Sequence, residues 1–171
     1  MFLLWYFILY SFLGFLLEIA FARVIDHPKK DRKCLLLLPL CPVYGLGAMA
    51  IHFLAGLRPG VLWVMVSGFV GATAAEFAVG SFCRHVLRVE FWDYSRMRWN
   101  VGGLVCLQFS LCWTVLALAL VYGADPLLIP LIRSIPAWLG PPAAILLAAD
   151  TAVSAVALRR TGTTRVLQWY R

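Results

Sequence analysis

Uninterrupted apolar runs, each close to the length of one bilayer crossing, leave a chain of this sequence very few folds. They fall at residues 2–22, 41–57, 60–83, 104–123 and 141–158, the second short for a crossing. Inside hydrocarbon every backbone N–H and C=O must be satisfied within the protein, so only helices and closed barrels can cross. Barrel strands alternate apolar and polar residues, and these runs do not. The chain is therefore expected to be an all-α, polytopic transmembrane bundle of about five spans, forming one integral membrane domain over residues 1–171. With 63% hydrophobic residues and mean hydropathy +0.86, too little polar surface remains to cover a water-soluble globule.

Two further stretches are apolar but broken by proline. Residues 34–40 (CLLLLPL), with Pro39 and Pro42, read as a re-entrant or interfacial approach to the second span; residues 126–138, with Pro126, Pro130, Arg133 and Pro136, read as a broken surface segment. The N-terminal run is longer than a signal-peptide core and lacks a basic leader and an A-x-A site, so it is expected to be retained as a helix.

The net charge of +7 reflects topology rather than a nucleic-acid partner, because the basic residues sit in short segments between spans. Arg23, Lys29, Lys30, Arg32, Lys33, Arg84, Arg88, Arg96, Arg98, Arg159, Arg160, Arg165 and Arg171 fall on one side of a five-span chain, and only Arg58 and Arg133 on the other. The positive-inside rule then predicts an outside N-terminus and a cytoplasmic C-terminus in the plasma (inner) membrane. Trp5, Trp63, Tyr122 and Trp138 would form the outer aromatic belt, Trp92, Trp99 and Trp169 the inner one. Five cysteines without a CxxC pair, and no histidine at zinc-finger spacing, argue against a disulfide framework or a structural zinc site.

Three acids lie in apolar spans, where each costs at least about 2.5 kcal/mol near a helix centre. Glu18 shares a helical stripe with Ser11, Gly14 and Ala22; Glu76 continues the row Gly68, Ala72 and Gly80; Asp150 lines up with Ala143 and Ser154. Small-residue stripes favour close helix contact, so all three are expected to face the bundle interior. The functional expectation is a cytoplasm-facing cavity lined by Glu18 and Glu76, with Asp150 the weaker candidate; the structural alternative buries each acid in its neutral form or pairs it with Arg84, Arg23 or a hydroxyl to fix helix packing. His52, alone in an apolar span, reads as a satisfied structural histidine.

The segments YSFLGFLLEIAF (10–21), PLCPVYGLGA (39–48) and EFAVGSF followed by FWDYSRMRWNVGGLVCLQFSLCW (76–113) resemble the ABC-transporter type IV family, the CmpB-like membrane proteins, over about residues 10–122. The resemblance marks Glu18, Cys41, Pro42, Tyr44, Gly45, Glu76, Trp92, Asp93, Tyr94, Ser95, Asn100, Gly103 and Cys106 as signature positions. The chain departs from the pattern at Leu38, where such sequences have Gly, and at Arg98, where they have Pro. The resemblance implies a permease, with substrate or ion candidates Glu18, Glu76, Asp93, Tyr94, Asn100, Tyr44 and Cys41. It further implies a separate ATPase docking on loops 23–40 and 84–101; a chain of only five spans is in addition expected to assemble as a homo-oligomer to enclose a pathway.

Physical reasoning adds that Phe91–Asn100 should fold back onto the cytoplasmic mouth, bringing Asp93 and Tyr94 near Cys41–Gly45, with Asp93 paired to Arg84, Arg88 or Arg96 and Asn100 fixing the backbone at Gly102 and Gly103. No G-x-S-x-G, H-E-x-x-H or G-x-x-x-x-G-K-[ST] occurs, so neither an enzyme nor a resident cofactor or metal is expected. The alternatives are a non-transporting assembly or regulatory subunit and, less favoured, a membrane-embedded enzyme acting on a lipid.

Overall fold

In a computed structural model, which describes residues 1–24 and 36–167, the chain is a bundle of apolar helices. Helix α1 is Phe2–Val24, α2 Pro42–Ala55, α3 Val61–Leu87, α4 Leu107–Ser134 and α5 Gly140–Thr161. Four of them, with the 3₁₀ turn Ala137–Leu139 leading into α5, are long and apolar enough to cross a membrane. The fifth, α2, has 14 residues and so rises about 21 Å, short of a hydrocarbon core of about 30 Å. Large apolar side chains such as Leu62, Val115, Leu127 and Ile145 point out of the bundle, as lipid-facing residues must.

Successive helices run antiparallel. Near the start of α2, Gly45 lies against Ser11 and Phe7 of α1, and Gly14 of α1 lies against Tyr44, so closely that a Cβ at either glycine would overlap its neighbours. Cys41 is the extended residue before α2, and Pro42 opens the helix where its missing N–H costs nothing. In α3 a π-helical turn over Ser67–Ala72 carries Gly68 and Gly71. Gly68 faces Trp113, Thr114 and Ala117 of α4, and Gly71 faces Ala50 and Leu54 of α2, so α3 is wedged between both. The central core is built on Tyr6, Tyr10, Ile51, Ala72, Trp113 and Ala117. A second cluster of Val79, Cys83, Leu87, Leu158 and Leu167 closes the end where α3 and α5 finish.

The fourth span differs from expectation. Rather than stopping near residue 123 and leaving 126–138 as a broken surface segment, α4 continues to Ser134. A π-helical turn at Leu120–Ala124 precedes Pro126, which occupies the first turn of the resumed helix, and Pro130 lies within it. Proline at a helix start removes only an N–H that has no intrahelical partner. The break comes at Ile135, held extended before Pro136. Of the proline-broken stretch 34–40, residues 34 and 35 lie outside the described residues, and 36–40 are irregular, with Leu36 and Leu40 buried.

Between α3 and α4 a compact loop is organised by the two-residue strands β1 (Asn100–Val101) and β2 (Val105–Cys106), paired antiparallel. Positive φ at Gly102 and Gly103 makes the turn between them, and Arg88 and Trp99 also adopt left-handed backbone.

Candidate functional site

The stripe on α3 does what its small residues suggest. Glu76 is 5% exposed, flanked by buried Ala72 and Gly80, and Gly80 admits the Trp92 ring to 3.1 Å of where a Cβ would be. Two elements bring donors to the Glu76 carboxylate. The Tyr94 hydroxyl of the loop donates to Oε1 at 3.0 Å, and the Trp113 indole N–H of α4 donates to Oε2 at 3.0 Å. One turn earlier on α3, the Thr73 hydroxyl reaches that of Ser110 at 3.0 Å.

Glu18, half-buried near the end of α1, accepts the Tyr44 hydroxyl at 2.5 Å. The Tyr44 ring meets the Trp113 ring at 5.1 Å between centroids, and Tyr94 stacks on Phe109 at 4.7 Å. Glu18, Tyr44, Trp113, Glu76 and Tyr94 therefore form a continuous line across α1, α2, α4, α3 and the loop. In the structure these acids are partnered by hydroxyl and indole groups. Arg84 turns away from them, to Glu90 at 2.7 Å and to the Gly102 carbonyl at 2.6 Å.

The loop folds back onto the bundle as expected: Phe91 and Trp92 pack on the same cluster as Leu37 and Val43, and the Trp92 indole donates to the Leu104 carbonyl at 2.8 Å. Its two polar residues nevertheless part company. Tyr94 turns inward to Glu76, whereas exposed Asp93 binds Ser95 alone among the described residues, taking its backbone N–H at 2.8 Å and its hydroxyl at 2.9 Å. A short acidic side chain closes such a turn on its own backbone, which satisfies Asp93 locally instead of beside Cys41–Gly45. The Ser95 hydrogen bonds, aided by the Arg84 and Arg96 charges, hold the Asp93 carboxyl below the ordinary range.

Asn100 pins the same turn, donating to the carbonyls of Met97 at 2.8 Å and Ser95 at 3.3 Å and accepting the Gly103 N–H at 3.0 Å. Gly103 has no room for a side chain, since a Cβ would stand 2.8 Å from Asp93 Oδ1. Cys106 lies with its sulfur 3.7 Å from that of Met97, and Cys41 donates its N–H to the Ser11 carbonyl at 2.9 Å. Asn100, Ser95, Gly103 and Cys106 thus shape the loop, and Tyr94 is its contribution to the acid line.

Asp150 lies apart from that line. Its carboxylate accepts the backbone N–H groups of Leu37 and Leu38, each at 3.2 Å, and Ser154 accepts from Leu37 at 3.1 Å. The irregular backbone of residues 37 and 38 is thus satisfied by the buried pair Asp150 and Ser154 of α5.

The structure also assembles a cluster that the sequence reading overlooked. At the other end of the bundle, buried Asp125 of α4 accepts the hydroxyls of Tyr6 at 2.9 Å and Tyr10 at 2.6 Å, and meets His52 Nδ1 at 3.2 Å. Asp125 was hidden because it lies beside Pro126, where the span was expected to end. The Tyr6 and Tyr10 pair, one turn apart in an apolar run, was the available signal. Among the described residues no three His, Cys, Asp or Glu gather as metal ligands.

Antiparallel lipid-facing helices enclosing partnered carboxylates define a polytopic α-helical membrane protein. The chain belongs to the family described as "Putative ABC-transporter type IV", whose sequence model matches residues 5–157 and so takes in most of α5 as well as the motif-bearing segments. No curated protein and no solved structure matches it.

Proposed function

We propose that the chain is the permease-like membrane component of a transport system in the plasma membrane. Its substrate- or ion-responsive site is the Glu18–Tyr44–Trp113–Glu76–Tyr94 line, which opens toward the cytoplasm. The observation that carries this reading is the convergence of two intramembrane acids on one aromatic–hydroxyl line at the end that bears most of the basic residues. Ionisable groups inside a bilayer are costly, and where they occur they mark substrate or ion pathways. The family description supports the transport class. Catalysis is not this chain's role in the proposal: ATP hydrolysis belongs to a separate subunit docked on loops 23–40 and 84–101, and a second copy of the chain completes the pathway.

A non-transporting assembly or regulatory subunit is the second reading. It is favoured by the partners of Glu76, both of whose oxygens already hold a protein donor. Purification of the tagged chain from its native membrane separates the two. The transport reading expects a stoichiometric ATPase subunit whose hydrolysis in proteoliposomes falls several-fold with Glu76→Gln at unchanged complex yield. An ATPase that is absent, or indifferent to Glu76, overturns it.

A further inference from the structure

We propose that His52 and Asp125 form a second site, a carboxylate-oriented imidazole that takes up and releases a proton at the end of the bundle opposite Glu18 and Glu76. The proposal does not rest on the transport reading. Its first support is the division of labour at Asp125. One oxygen receives both tyrosine hydroxyls, at 2.9 and 2.6 Å, and the other faces His52 Nδ1 at 3.2 Å. A carboxylate that accepts from Nδ1–H fixes the neutral ring in that tautomer and leaves Nε2 as the free acceptor, the arrangement by which an acid orients a histidine for proton or ligand binding.

The second support is access. The His52 side chain is 31% exposed while that of Asp125 is 9% exposed, so the imidazole is the wet member of the pair. Both line an open cleft of about 470 Å³ whose other walls include Gly56, Val121, Ile129 and Pro130. The Tyr6 ring packs on the imidazole at 4.9 Å and the Phe2 ring at 6.0 Å, holding it in place without competing for its nitrogens.

The groups that face the pair are few. From α1 they are Tyr6 and Tyr10, from α2 His52 itself and from α4 Asp125, joined by hydrogen bonds through the Asp125 carboxylate. The nearby cations are directed elsewhere, with Arg58 over the Trp63 ring at 5.5 Å and Arg133 exposed two turns beyond Asp125. The ring thus has Asp125 as its acidic partner, whose removal should be felt directly.

The test is nitrogen NMR of the full chain, carrying ¹⁵N-labelled histidine rings, in lipid nanodiscs across about pH 4 to 9, a range centred on the ordinary imidazole value. Signals are assigned by replacing His27, His52 and His85 singly. The expected result is a neutral Nδ1–H tautomer for His52 and a single protonation step. Asp125→Asn should weaken proton binding about tenfold, because the ring loses its acid partner. Tyr10→Phe keeps the ring, frees one donor from the carboxylate and should shift the step upward, so it decides the matter if Asp125→Asn fails to fold. An Nε2–H tautomer in the wild-type chain, a ring that does not titrate, or a midpoint unmoved in the folded variants would each overturn the site.

Discussion

The indole N–H of Trp113 stands 3.0 Å from Glu76 Oε2, so a residue of α4 completes an acid carried by α3, 37 positions earlier in the chain. That bond decides how the bundle centre responds to substitution. Trp113→Phe keeps the ring against Tyr44 but strips a buried acceptor of its donor, which costs about 1–3 kcal/mol. We expect a matching fall in unfolding free energy in detergent. A double-mutant cycle with Tyr94→Phe should show coupling, since both donors serve one carboxylate. Strict additivity would mean that the two act separately.

Helix contact at Gly45 gives a second prediction. A Cβ there would overlap Ser11 Oγ and Phe7, whereas one at Gly123 would meet nothing within 4 Å. Gly45→Ala should lower thermal stability by the equivalent of about 1–3 kcal/mol, the usual range for overpacking, and Gly123→Ala should leave it nearly unchanged. Equal effects would show that the α1–α2 approach yields easily.

Asp150 is expected to behave as an anchor. Asp150→Ala takes the carboxylate acceptor from the Leu38 amide, a loss worth about 1–3 kcal/mol when buried, while the Leu37 amide keeps Ser154; Asp150→Asn keeps one acceptor oxygen and should fall between. Amide exchange at Leu37 and Leu38 reads this directly. Protection unchanged in the alanine variant would show that other groups hold the segment.

The loop carries an acid-sensitive contact. The folded Asp93 carboxyl titrates below its ordinary value near 3.8, so its contribution to the turn is complete above that value and is lost as pH falls through the depressed folded value. Protection of the Ser95 amide should therefore be flat at neutral pH and drop only in acid, below about pH 4, with Ser95→Ala weakening the acid step. A drop centred near pH 6 would implicate another group.

Orientation is open to labelling. In a background with the native cysteines replaced, a cysteine at Arg165 should react with an impermeant thiol reagent only from the cytoplasmic side, and one at Arg58 only from outside, as the thirteen-to-two division of basic residues requires. The reverse pattern would invert the topology and place the Glu18–Glu76 line outside.

The sequence by itself determined that this chain is a membrane bundle, and the reason is local. In lipid each helix satisfies its own backbone, so an apolar run declares its structure without reference to the rest of the chain. The stripes through Gly14 and Glu18 and through Ala72 and Glu76 were legible on the same grounds, because helical periodicity alone sets which residues share a face. Only the tertiary structure decided what those acids touch. Tyr44 comes to Glu18 from 26 residues away and Tyr6 to Asp125 from 119, and no local pattern encodes such meetings. The same holds for α4 running on past Pro126 and for Asp150 serving the backbone of residues 37 and 38. A polar group in hydrocarbon must find a partner, but its own sequence neighbourhood states only that need. The packing of distant helices supplies the answer.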